Sequence, residues 1–235
     1  NRSARAQPPL AESARGGHAL DMKQHETAEK GKAPDALVVA VARRQHGLVT
    51  TRQARDAGLS RNQIQYRVSS ERWESLAVGV YRVAGAPATW HQRVMAACLA
   101  VQGSVASHLT AAALAGLSVP RPPTPHLTVV RGRSVRLPLA VVHTARHPLE
   151  GIVRYEAIPT TPVGRTLVDL AASLGPTRLQ RLVDEAMHRR LLRPNQLDQI
   201  WDDVRIAPGR RGEGKLRAAT EPWAGPIQPG SPAEA

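Results

Sequence analysis

"QHGLVTTRQARDAGLSRNQIQYRVSSERWESLAVGVYRVAG", residues 45–85, is the stretch on which the reading of this chain turns. Thr50 and Thr51 precede a short helical run, Arg52 to Ala57, and Gly58 follows it. A glycine just past a helix takes the left-handed conformation without a Cβ penalty. Ser60 then opens a second helix as N-cap, and Gln63 three residues on completes a capping box. Leu59, Ile64 and Val68 fall on one side of that helix and are expected to face inward. Asn62, Gln65, Tyr66 and Ser69 fall on the other side, with Arg61 at the flank. Amide side chains suit adenine edges and Arg suits guanine or phosphate, so this is the set a recognition helix offers a major groove. Trp73 to Leu76 and Val80 to Val83 are β-prone, and Ala77-Val78-Gly79 between them reads as the tight turn of a hairpin. The whole is expected to be a winged helix-turn-helix. Arg61, Asn62, Gln65 and Tyr66 would meet bases or nearby phosphates, and Arg52, Arg55, Arg67 and Arg82 would anchor the backbone. A protein–protein adaptor can share this layout, and that reading stands beside it.

Charge points the same way. The 235 residues carry a net charge of +13, which calls for an acidic partner. Between 34 and 85 there are eight Arg against four acids, and between 86 and 158 seven against two, so the excess sits in the reader and the segment after it. Nearly all the bases are Arg, whose planar fork suits phosphate and guanine. The single cysteine, Cys98, excludes an internal disulfide and a Cys-based zinc site, and its apolar surroundings mark it as an inert core residue. There is no Phe, so the core must be Leu, Val and Ala with a few Trp and Tyr. No run approaches the roughly 20 apolar residues of a membrane span, and the first residues lack the apolar stretch of a signal peptide. A cytoplasmic protein with no membrane partner and no cofactor is expected.

Outward from the central stretch, residues 1–33 are polar and aperiodic and read as a disordered tail. Met22 is a natural start, and the residues before it read as read-through from a misplaced start codon. Pro34 sits at a plausible first helical position; Ala36 to Gln45 is helical in pattern, with Leu37, Val41 and Arg44 on related faces. Trp90 to Val101 is an amphipathic helix, Ser104 to Ser107 a short strand, and Leu109 to Leu117 an Ala-rich helix ending near Gly116. The prolines from Pro120 to Pro125 form a rigid connector. Three β-prone runs, His126 to Val130, Leu139 to His143 and Ile152 to Ile158, suggest a small antiparallel sheet on those two helices. Pro162, Pro176 and Pro194 each open a helix with an apolar stripe. The expected fold class is therefore α+β: a winged helix-turn-helix over 34–85, a mixed helix and small-sheet body over 86–220 with a helical C-terminal part, and a disordered tail over 221–235.

Five phrases, "GLVTTRQARDAGLS", "GVYRVAG", "ASHLTAAALAGL", "TTPVGRTLVDLA" and "DEAMHRR", in that order, resemble the AbiEi-type antitoxins of type IV toxin-antitoxin systems, in their actinobacterial form. The resemblance spans roughly residues 36–220. It implies an N-terminal winged helix that binds double-stranded operator DNA and represses its own operon, and a body that neutralises a nucleotidyltransferase-like toxin partner. Many similar proteins continue past the position of Thr220 into a domain similar to very-short-patch-repair endonucleases, whereas this chain enters a Pro-rich tail. The turn Ala77-Val78-Gly79 also lacks the basic residue common there. A second reading follows from the first departure: an orphan DNA-targeting portion of an endonuclease-fused protein.

Other residues of the chain could in principle carry chemistry. Asp203 followed by Glu213-Gly214-Lys215 mimics the acid and acid-x-Lys of a restriction-type nuclease, but no apolar strand would hold them rigid. His143 and His147 lie four apart in a strand-to-loop region and read as surface histidines. Asp169, Asp184 and Glu185 lie on amphipathic helices among Arg residues, where pairing at helical spacing accounts for them. Ser107 and His108 are adjacent and are not expected to pair. No enzyme and no metal site are expected.

Overall fold

The computed structural model describes residues 33–130, 137–145, 149–197, 200–201 and 212–223. Residues 1–32 and 224–235, His147 and Asp203 therefore lie outside the described residues, while the segment expected to be a disordered tail from 221 opens with a 3-10 turn, Glu221–Trp223, whose Trp223 Nε1 donates to Asp184 Oδ1 at 3.0 Å.

Helix α1 spans Pro34–Arg44, with Pro34 in its first turn, and the chain then turns through His46 and Gly47 into strand β1, Leu48–Thr50. Val38 and Ala42 form the buried line of α1, so its inward face is centred one residue on from the Leu37–Val41 line. Helices α2, Thr51–Asp56, and α3, Arg61–Ser69, follow, then strands β2, Trp73–Ala77, and β3, Val80–Val83. The three strands make a sheet in the order β1-β3-β2, antiparallel throughout, with a bulge between Ser75 and Ala77. β1 is a strand that the alternation of the sequence did not reveal. Three residues are too few to show a period of two.

Val38, Val49, Ala54, Leu59, Ile64 and Trp73 close a small core between these helices and the sheet. The other face of the sheet is not left to solvent. Leu48 and Val80 join Trp90, Val94, Met95 and Ala97 of helix α4, Trp90–Ala100, in a second core. Gln92, 1% exposed, reinforces the joint by donating from Nε2 to the carbonyl of His46 at 2.7 Å.

That second core continues into a five-stranded sheet made of β4, Val105–Ala106, β5, His126–Val130, β6, Val141–Ala145, β7, Val153–Tyr155, and β8, Ile158–Thr160. The order is β6-β5-β4-β8-β7. It corrects the antiparallel expectation: β5 pairs with β6 and β4 with β8 in parallel, while β4–β5 and β7–β8 are antiparallel. The run read as one strand, Ile152 to Ile158, is two strands joined at Glu156 and Ala157. Both have positive φ, the conformation of a tight hairpin turn. Neither is Gly or Asn, so composition gave no turn signal.

Helix α5, His108–Leu114, packs on α6, Val163–Ala171, α7, Pro176–His188, and α8, Glu213–Thr220, around a third core of Leu and Val side chains. After α7 the predicted Pro194 helix begins as a 3-10 turn, Pro194–Gln196. α8 was not foreseen. It places Glu213 and Lys215 on a helix, where Lys215 Nζ donates to the Leu174 carbonyl at 2.6 Å, so the acid-x-Lys spacing is not that of a nuclease strand. Among the described residues, no helix is long and apolar enough to cross a membrane. Arg165–Asp169 and Arg189–Glu185 pair at i,i+4 as expected. Cys98 is buried, and burial pushes its thiol up to about 12, which leaves it inert.

Two expectations about side chains are corrected. Ser107 and His108 do meet, Nδ1 to Oγ at 3.0 Å, because His108 sits at φ +52°, where its ring folds back over the preceding residue. His143 is no surface histidine: it is half-buried, with its ring stacked 3.6 Å from that of His108.

Candidate nucleic-acid interface

Helices α2 and α3 are held by matched caps. Thr50 Oγ1 accepts from the Gln53 N–H while Gln53 Oε1 accepts from the Thr50 N–H; Ser60 and Gln63 repeat the arrangement at α3. Such reciprocal caps satisfy two otherwise orphaned donors per helix. Between the helices Gly58 takes φ +98°, and Leu59, 4% exposed, drops into the core beneath. The turn and the inward residues together fix the rotation of α3.

That rotation exposes Arg61, Asn62, Gln65 and Tyr66 along one side, with Ile64 buried and Val68 half-buried behind them. Tyr66 is 59% exposed, and its ring lies under the Arg72 guanidinium at 5.7 Å. Arg72 is exposed at the end of the α3–β2 turn and was not singled out from the sequence. Its signal was available, since it lies six residues after Tyr66 in a turn leading back to the same face. Arg52 and Arg55 are both exposed on α2; Arg52 lies 3.8 Å from Asp56, a pair open enough to solvent to cost little to break.

Two of the expected anchors, Arg67 and Arg82, are engaged within the protein. Arg67 is turned inward, 13% exposed at its side chain, with Nη2 on Asp35 Oδ1 at 2.7 Å and Nη1 on the Gln63 carbonyl at 2.9 Å. Its guanidinium also lies over the Trp73 ring at 5.9 Å. Arg82 stands opposite Glu74 on the β2–β3 ladder and hydrogen-bonds its carboxylate. Arg67 uses Nε, Nη1 and Nη2 within the protein, and Arg82 uses Nη2. The hairpin turn carries Val78, fully exposed, and is tied to α2 by the Thr51 N–H donating to the Gly79 carbonyl at 2.9 Å.

This order of elements, with an exposed polar helix after a capped turn, is carried by one part of the chain, and that part has known relatives. Residues 37–84 match the model of the AbiEi antitoxin family of transcriptional regulators. The resemblance read from the sequence holds over that segment. The AbiEi-type segment runs from within α1 through the end of β3. No curated protein matches the chain. Among solved structures, the RV2827C protein from Mycobacterium tuberculosis is similar, at 16% identity over 82% of each chain, with a TM-score of 0.48.

Proposed function

We propose that this protein is a DNA-binding transcriptional regulator of the antitoxin type, with the AbiEi-type segment working as a winged helix-turn-helix on operator DNA. The observation that carries the reading is the outer face of α3: Asn62 and Gln65, one turn apart and exposed, on a helix whose rotation is fixed by its cap and by Ile64 beneath. Both amides can contact adenine through two hydrogen bonds at once. Tyr66 and Arg72 extend the face toward the strand, and Arg52, Arg55 and Arg61 supply cations for flanking phosphates. The chain then acts in the cytoplasm, on its own operator, and its body engages a nucleotidyltransferase-like toxin.

The test is a fluorescence-anisotropy titration of the full chain with operator and scrambled duplexes across a range of salt. Asn62→Ala and Gln65→Ala should each lose about 1–3 kcal/mol of preference for the operator and keep the salt slope. If both variants fold and keep the native preference, α3 is not the reader. A native chain whose binding is indifferent to salt would favour the adaptor reading instead.

A further inference from the structure

Helix α1 carries more apolar surface than the core beneath it uses. Its middle, "ALVVAVA" over residues 36–42, has no polar side chain. Val38 and Ala42 are buried, and Leu37 and Val41 are half-buried beside them. Ala36, Val39 and Ala40 are exposed, Val39 to 40%. A surface helix ordinarily turns charged residues outward, and one that is apolar all round is ordinarily covered on every side. Next to Val39 the surface is concave. A groove of about 340 Å³ is lined by Val39, Ala42, Val83, Ala86 and Pro87, and Arg43 also borders it.

The charges on that face point to what covers it. Asp35, Val39 and Arg43 follow one another at intervals of four, so they share one stripe of the helix. Val39 stands midway, with the acid one turn before it and the base one turn after. A twofold axis passing by Val39 sets two copies of α1 antiparallel. Each Asp35 then faces Arg43 of the other copy, and the two valines meet at the centre. A parallel pairing would instead bring like charges together. Asp35 can take part although it holds Arg67: both bonds from that guanidinium go to Oδ1, and the acid's side chain is 68% exposed. A carboxylate has room for about four hydrogen bonds. Ala36 and Ala40 beside the stripe are small, which lets two helix axes approach closely.

We propose that a second copy of this chain docks on this face, α1 against α1 in antiparallel orientation about Val39, with Val39 of each copy at the apolar groove of the other. A helix of eleven residues is only about 16 Å long, so the contact falls short of the roughly 800 Å² per partner typical of a stable complex. The dimer is therefore weak and reversible.

Sedimentation equilibrium of the full chain from micromolar to millimolar concentration provides the test. The native protein is expected to pass reversibly from monomer to dimer. Val39→Asp and Arg43→Glu should each raise the dissociation constant at least about tenfold, the second by setting two acids against each other. Both positions are exposed, so the melting temperature should change little. Val78→Ser removes an apolar side chain exposed elsewhere and should leave the association as it is. Val39→Cys should cross-link across the axis on oxidation with copper–phenanthroline, since Cys98 is buried and offers no competing thiol. A native chain that stays monomeric throughout would mean that another part of the chain or another protein covers α1. A dimer that neither Val39→Asp nor Arg43→Glu weakens is built on another surface, and Val39→Cys chains that dimerise without cross-linking have their axis elsewhere. Any of the three overturns the proposal.

Discussion

Arg67 near the end of α3 grips Asp35 at the start of α1, Nη2 2.7 Å and Nε 3.2 Å from the same carboxylate oxygen. The contact joins the two ends of the three-helix unit across 32 residues of sequence. Arg67 adds a bond to the Gln63 carbonyl one turn earlier in its own helix. An arginine on the proposed reading helix thereby serves as a strut within the protein.

Arg67→Ala should therefore cost stability, about 1 kcal/mol from an ion pair whose carboxylate is still open to water, and leave the salt dependence of DNA binding unchanged. Arg55→Ala should do the reverse, weakening all duplexes alike and lowering the slope of log K against log salt by about one unit. Chemical denaturation and anisotropy on the two variants separate the roles. Equal loss of slope in both would return Arg67 to the contact set.

Ile64, 4% exposed, lies directly behind Asn62 and Gln65 and packs with Val38, Leu59 and Trp73. Ile64→Ala should cost about 2–5 kcal/mol through lost burial and a residual cavity, with operator preference intact where the protein is still folded. Urea unfolding measures the first part and competition binding the second.

Gly47 sits at φ +79°, and a Cβ there would lie 2.2 Å from Ala86 Cβ. Strain and overlap act together, so Gly47→Ala should destabilise by about 2–4 kcal/mol. Gly85, also at positive φ but with open space around it, should tolerate alanine better, since only the conformational strain remains. A thermal melt in which Gly47→Ala matches the native chain would refute the close approach.

Burial pulls His126 and His143 below the ordinary imidazole value of 6.5; His143 adds to the effect on His126, and Asp169 opposes it on His143. Burial lowers His91 as well, against the pull of Glu156. A base whose folded pKa is depressed binds fewer protons folded than unfolded. Its contribution is thus complete above about pH 6.5 and is lost as pH falls toward the folded value. The melting temperature should be flat above pH 7 and decline from pH 6.5 to 5, with a shallower decline in His126→Gln. A melting temperature that rises over that interval would show the signs to be wrong.

A fragment ending at Gly85 should be less stable than the same segment in the full chain. Leu48 and Val80, each at most 1% exposed, are covered by Trp90 and Val94 of α4. Uncovering two such side chains costs at least about 2 kcal/mol at the usual value of apolar burial. Hydrogen exchange on β1 and β3 in the fragment and in the full chain provides the comparison.

What the sequence determined by itself was local. Gly58 stops one helix and the Ser60–Gln63 box starts the next, because caps and left-handed turns depend on residues three or four apart. The inward set Leu59, Ile64 and Val68 was legible for the same reason: a helix repeats within the window one reads. The prolines that open α1 and α7, and the β-prone runs of the hairpin, belong with these. What only the tertiary structure decided involves residues far apart in the chain. Asp35 reaches for Arg67, and Glu74 faces Arg82 in a register set by a bulge, so two basic residues that look like anchors are already engaged. The parallel pairing of β5 with β6 and of β4 with β8 depends on how distant strands are stacked, which no period of two encodes. His108, His126 and His143 lie on three separate elements and meet only because that sheet order sets β5 beside β6 and α5 against them. Charge and periodicity show which groups a segment can offer, and long-range packing settles which of them are already taken.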